Sequence, residues 1–153
     1  MRILYFRREG DFMMTAMQIA HYIIEKCSNE NKAISNLQLQ KILYYIQKTA
    51  LQSDTGEPIF SDEFVAWKFG PVIEEVYYAY CVFGAMPIRR TYNEPIEGRI
   101  KVLIDPIINR KRELNPWDMV EETHKDGGAW HITFNNGLGN GKVIDNKLIR
   151  QRG

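Results

Sequence analysis

The sequence predicts a mainly α fold: a single compact helical domain carrying one or two short β-strands. Three observations predict it. Apolar residues recur at spacings of three and four over long stretches, several of those stretches open on a side-chain cap, and two-residue alternation is confined to short runs. The length of 153 residues suits one domain, and 44% apolar residues can fill a core of ordinary size.

Residues 15–27 place Ile19, Ala20, Ile23, Ile24 and Cys27 on one face, with Glu25 and Lys26 off it, which predicts an amphipathic helix. Residues 28–32 read as a polar loop. In the next helix Ser35 is the N-cap, Gln38 completes a capping box, and Ile34 and Leu39 take the two positions of a hydrophobic staple. Its predicted buried face is Leu39, Ile42, Leu43, Ile46 and Ala50. The pattern fades at Ser53-Asp54-Thr55-Gly56, and residues 63–67 alternate as a short strand.

Gly70-Pro71 reads as a helix entry, because Pro71 tolerates the first helical position and Glu74 and Glu75 put negative charge near the positive end of the helix dipole. Val72, Val76, Tyr80 and Phe83 would share its apolar face, with Gly84 as its stop and residues 85–98 as an irregular connection. Two further helices are expected to open at Asp105-Pro106 and Asn115-Pro116, the second running to Gly127-Gly128. Residues 130–134 read as a second short strand and residues 135–141 as a loop. Asp145 caps a last helix to about Gln151.

A net charge of +1 gives no diffuse positive field, so a nucleic-acid partner is not expected, though local basic clusters exist. Cys27 and Cys81 each lie in an apolar helical pattern without the spacing of a disulfide framework or zinc site, which points to a reducing cytosol and a cytoplasmic protein. No apolar run approaches the ~18 residues of a membrane span, so no membrane insertion is expected. Arg2, Arg7, Arg8, Glu9 and Asp11 break the first residues where a signal peptide needs an apolar stretch. Residues 1–13 therefore read as an N-terminal extension outside a domain of residues 14–153, or as an ordered edge strand.

Two blocks carry a family resemblance. Ile34-Ser35-Asn36-Leu37-Gln38-Leu39-Gln40-Lys41-Ile42-Leu43-Tyr44-Tyr45 and Ala66-Trp67-Lys68-Phe69-Gly70-Pro71-Val72, with Val76-Tyr77 following, resemble the Panacea domain, the SocA-like antitoxin domain of phage-associated proteins. The likeness returns at Trp117-Asp118-Met119-Val120-Glu121-Glu122-Thr123-His124, at Gly128-Ala129-Trp130 and from Asn136-Gly137 through Val143-Ile144. The positions that carry it most clearly are Ser35, Trp67, Gly70, Pro71, Val72, His124 and Trp130. The resemblance implies a mainly helical antitoxin of a toxin–antitoxin pair, phage- or mobile-element-borne, that binds a cognate protein toxin. It brings no catalytic residue and no cofactor.

Partner contact is expected from the aromatic set Tyr44, Tyr45, Trp67, Phe69, Tyr77, Tyr78, Tyr80 and Trp130, since large rigid side chains bury area at small entropic cost. Tyr44-Tyr45 and Tyr77-Tyr78 are adjacent pairs on helices, so one of each pair should face outward. These four tyrosines, with Lys41 and Lys48, are the candidate partner-binding residues; Trp67 and Val72 are expected in the core. Glu121, His124 and Asp126 near a helix end could form an acid–base site, where the dipole would favour a protonated His124, but no paired nucleophile accompanies them. His124 and His131 match no zinc spacing. Gly137-Leu138-Gly139-Asn140-Gly141-Lys142 fails as a phosphate loop, with Asn136 in place of the first glycine and Val143 in place of Ser/Thr, and a left-handed turn series is expected instead.

The expectation is thus a non-enzymatic cytoplasmic antitoxin that occludes a toxin or delivers it to a cytosolic protease. Two alternatives stand beside it. One is a nucleic-acid-binding regulator using the Ser35 helix, with Arg89-Arg90 and Arg110-Lys111-Arg112 on phosphates. The other is a hydrolase using Glu121 and His124.

Overall fold

A computed structural model describes residues 13–153. The extension or edge strand expected at residues 1–13 lies, apart from Met13, outside the described residues. Within them the chain forms seven α-helices and one two-stranded sheet, a mainly α architecture as the periodicity predicts.

Helix α1 (Ala16–Asn29) is capped by Thr15, whose side chain accepts from the Gln18 amide while Gln18 reaches back, and it buries the Ile19, Ile23, Ile24 and Cys27 stripe. Helix α2 (Asn36–Leu51) opens on the expected box: the Gln38 amide donates to Ser35 Oγ at 3.3 Å and the Ser35 amide donates to Gln38 Oε1 at 3.0 Å. The expected apolar face of α2 is buried, but so are Gln40, Lys41, Tyr44, Tyr45 and Gln47. The cause is that α1, α3, α4, α5, α7 and β2 all pack against it, making α2 the central axis of the fold. The outward-facing member expected of the Tyr44-Tyr45 pair is therefore absent. Tyr44 meets Phe64 edge-on at 5.3 Å, and Tyr45 places its hydroxyl on the Glu122 carboxylate.

Strand β1 (Val65–Trp67) and strand β2 (Gly70–Val72) form an antiparallel hairpin with Val65↔Val72, Ala66↔Pro71 and Trp67↔Gly70 in register. The strand expected near residues 63–67 is present, but Gly70-Pro71 is a strand and not a helix entry. Proline is tolerated there for a specific reason. Its partner Ala66 turns both backbone groups the other way, donating to Lys142 O at 2.9 Å and accepting from the Gly141 amide at 2.7 Å, so Pro71 sits at a pair needing no ladder bond. Helix α3 (Glu74–Tyr80) follows, with Glu74 and Glu75 in its first turn, and passes into a 3-10 helix (Cys81–Phe83) that Gly84 ends.

Helix α4 (Gly98–Lys111) starts well before the expected Asp105-Pro106 and carries Pro106 inside it. Burial of Ile104, Ile107 and Ile108 against the core outweighs the bond that the proline removes. Helix α5 (Pro116–Thr123) begins at the expected Asn115 cap but ends at Thr123, short of Gly127-Gly128. Helix α6 (Ala129–Phe134) replaces the strand expected at residues 130–134; Trp130 stacks on Phe134 at 4.7 Å, a one-turn helical pair. Positive φ at Asn135, Asn136, Gly137 and Gly141 gives the expected left-handed turns. Helix α7 (Asn146–Arg152) is capped by Asp145. Among the described residues no helix is long and apolar enough to cross a membrane.

Candidate functional site

Two-residue alternation and a glycine after Phe69 fold residues 65–72 into a hairpin whose loop residues, Lys68 and Phe69, are exposed. Beside that loop lies an open, mainly apolar groove of about 350 Å³. Its walls include Trp67, Phe69, Tyr77 and Trp117, with Asn36 and Gln40 from the start of α2 in the floor. The aromatic walls brace one another. Trp67 meets Tyr77 edge-on at 4.9 Å and Tyr78 at 6.0 Å, and Phe69 meets Trp117 at 5.5 Å.

Large apolar surface is left open here. Phe69 is 48% exposed, Trp117 57% and Tyr78 59%. Contiguous exposed aromatics of this kind mark interaction surfaces. The floor, by contrast, is polar and fully bonded. Asn36 Nδ2 donates to Tyr77 O at 3.1 Å, Gln40 Nε2 donates to Asn36 Oδ1 at 3.2 Å, and the Ile73 amide donates to Gln40 Oε1 at 3.0 Å. That chain of bonds ties the first turns of α2 to α3 and fixes the groove's width.

Beneath the hairpin loop lies Lys41, wholly buried, whose Nζ donates to the Phe69 carbonyl. Desolvation pushes its ammonium down to about 7. Next to it His124, the C-cap of α5, stacks flat on Trp130 at 3.6 Å and 3°. Burial, and then the neighbouring Lys41 charge, hold His124 down to about 4, which reverses the expected protonated imidazole. A base that weak is poorly matched to neutral pH, and Glu121 is exposed on the outside of α5. Trp130 completes the arrangement by donating Nε1–H to Trp67 O at 2.8 Å.

The sequence-derived candidates divide. Tyr77 lines the groove, half-buried in its wall, and the exposed Tyr78 beside it has its ring 6.0 Å from Trp67. Lys41, Tyr44 and Tyr45 are in the core and present no surface. Lys48 stands apart, 5.9 Å over the Tyr45 ring, near Lys111, whose Nζ is 3.1 Å from Glu122 and 3.9 Å from the Tyr45 centroid. Burial raises the Glu122 carboxyl, but the Tyr45 hydroxyl and Lys111 ammonium outweigh it and leave the group below the usual carboxylate range. Of the basic runs, Arg112 pairs with Glu30 at 3.0 Å and Lys111 with Glu122, while Arg90 covers the Phe83 ring at 4.8 Å. These cations are engaged within the fold. Val72 is buried as expected, and Trp67 is half-buried between core and groove. Trp117 was not among the candidates; its signal was a large aromatic in a first helical turn, off the Met119, Val120 and Thr123 buried stripe.

Comparison with known proteins gives a coherent result. The family described as antitoxin SocA-like, Panacea domain, matches residues 39–131, a stretch that contains the hairpin, Lys41, Trp117, His124 and Trp130. The chain is also similar to antitoxin SocA of Caulobacter vibrioides (strain NA1000 / CB15N), at 29% identity over an alignment 153 positions long that covers 90% of this chain and 81% of that protein. No solved structure matches.

Proposed function

Because this chain belongs to the antitoxin SocA-like, Panacea-domain family, we propose that it neutralises a cognate protein toxin by direct binding, and that the aromatic groove between the hairpin loop, α3 and Trp117 receives that toxin. The observation that carries the reading is the exposed Phe69, Trp117 and Tyr78 surface lying over a floor whose polar groups are already bonded to one another. Such a site offers a partner apolar contact and little chemistry. Phe69 and Trp117 are the anchors, Tyr77 and Tyr78 extend the surface, and Lys48 belongs to a separate face. In this reading residues 14–153 form the antitoxin domain of a cytoplasmic, prophage- or mobile-element-encoded, non-enzymatic protein. The bound toxin is either occluded or handed to a cytosolic protease through the same contacts.

The test is co-expression with the toxin encoded beside this gene. Phe69→Ala with Trp117→Ala should weaken binding roughly 10- to 100-fold, as loss of central aromatic anchors does, while the melting temperature stays put. Growth rescue should disappear with it. Full rescue and unchanged affinity in the double variant would place the interface elsewhere. Capping the exposed Cys81 thiol at the groove rim with a bulky reagent, Cys27 being buried, gives an independent block.

A further inference from the structure

The proposed groove depends on the loop of Lys68 and Phe69, whose side chains are exposed, so the loop's shape is set by what grips its backbone from inside. Trp130 and Lys41 donate to it, and the His124 imidazole lies against the Phe69 backbone beside Lys41. Trp130 Nε1 holds the Trp67 carbonyl at 2.8 Å, and Lys41 Nζ holds the Phe69 carbonyl. We infer that Lys41 is a positioning residue for the groove: from within the core its amine fixes the Phe69 carbonyl and thereby keeps Phe69 and Trp67 presented to a partner. This rests on the groove being the partner site, as proposed above.

Stability does not account for a lysine at this position. It is 0% exposed, has three donor hydrogens and a single acceptor, and forms no ion pair among the described residues. An apolar side chain of similar length would fill the same space without desolvating an amine. The described residues around it supply no counter-charge either. The titratable groups facing it are His124, held neutral, and Tyr44 and Tyr45 on its own helix; Thr123 lies on the α5 side, its hydroxyl donating to Val120 O at 3.0 Å. On the hairpin side stands Gly70, with φ at 119°, where any Cβ would overlap Lys41 Nζ. The loop and the lysine are thus fitted to each other, and the fit is made at the loop carbonyl.

The buried amine titrates near neutrality, and that gives the inference a signature with two opposite signs. Its folded value lies below the ordinary 10.5, so global stability should rise with pH from about 7 upward, as the folded state sheds a proton the unfolded chain keeps. Over the same range the grip on Phe69 O should weaken, because a neutral amine makes a weaker bond than an ammonium. A lysine serving only as core filler would give the first trend without the second.

The experiment is amide hydrogen exchange, read as the ratio of residues 67–72 to α1, together with thermal melts, on wild type and Lys41→Met at pH 6 and pH 8.5. In Lys41→Met the hairpin should exchange roughly 10- to 100-fold faster relative to α1, with a melting temperature at pH 6 no lower than wild type. In wild type the same ratio should rise about 5-fold between the two pH values, after correction for intrinsic rate. An unchanged ratio overturns the inference, and so does a Lys41→Met protein that melts lower at pH 6 or does not fold. The exchange measurement needs no toxin. A hairpin that loosens as expected, while Phe69→Ala with Trp117→Ala leaves the toxin bound, would support the lysine's hold on the loop and sink the groove as its purpose.

Discussion

Helix α2 reaches two stretches of irregular chain with polar side chains from inside the core, and the two attachments differ in kind. At Gln47 a neutral amide gives and takes one bond, Nε2 donating to Phe60 O at 2.8 Å and Oε1 accepting from the Ile59 amide at 2.9 Å. At Lys41, nearer the start of the helix, an ionisable amine meets one carbonyl and, among the described residues, no counter-charge. A neutral pair with every atom bonded lets a loop replace the ladder bonds of a strand, and it adds rigidity. A single buried charge with idle donors subtracts stability, so its presence at a loop bearing exposed aromatics points to use and not to scaffolding.

The sharpest way to break that contrast is to remove each anchor in turn. Gln47→Leu strands a buried amide and a buried carbonyl, costing roughly 2–6 kcal/mol. Thermal melts should show a drop of about 10 °C. If Gln47→Leu proved milder at pH 6 than Lys41→Met, the distinction between the two attachments would be wrong.

Next in size is the pH term. Lys41 is protonated in the folded protein below about 7 and in the unfolded chain below 10.5. The folded state therefore carries the full desolvation penalty below pH 7 and loses it as pH rises toward 10.5, a gain on the order of a few kcal/mol. Melts at pH 6 and pH 9 should show wild type gaining on Lys41→Met. His124 adds a term of the same direction at lower pH: with a folded value near 4, its contribution is intact above 6.5 and is lost as pH falls toward 4. His124→Phe, keeping the stack on Trp130, should flatten the acid limb of the stability curve.

Smaller effects calibrate the rest. Ser35→Ala removes one half of a capping box and should cost about 1 kcal/mol, or roughly 2–4 °C. Breaking the exposed Lys32–Glu113 pair, 3.2 Å apart, should be near the limit of detection. A large loss there would show that surface charge matters more to this fold than its buried polar anchors do.

Local chemistry made much of the fold legible. The Ser35 box, the Asn115 and Asp145 caps, the α1 stripe and the left-handed turns after Phe134 all depend on neighbours a few residues away. What escaped depends on remote ones. Gly70-Pro71 serves a helix start or a strand equally well, and only the bonds from Ala66 to residues 141 and 142 decide for the strand. The second covered face of α2 is invisible to a stripe of spacing three and four, because Gln40, Lys41, Tyr45 and Gln47 acquire partners only when five helices and β2 close around them. At the groove, Phe69, Tyr77 and Tyr78 could be picked out as aromatics, whereas Trp117 joins them through tertiary packing across some fifty residues of chain.

The sequence contains three tryptophans, and their placement makes the molecule its own optical probe. Two of the indoles line the groove, and the third is hydrogen-bonded to the backbone of the first. Ultraviolet emission from this chain is thus almost wholly a report from one neighbourhood. A ligand seating there should shift its colour and intensity without any dye, and unfolding elsewhere should leave it nearly silent until that corner gives way.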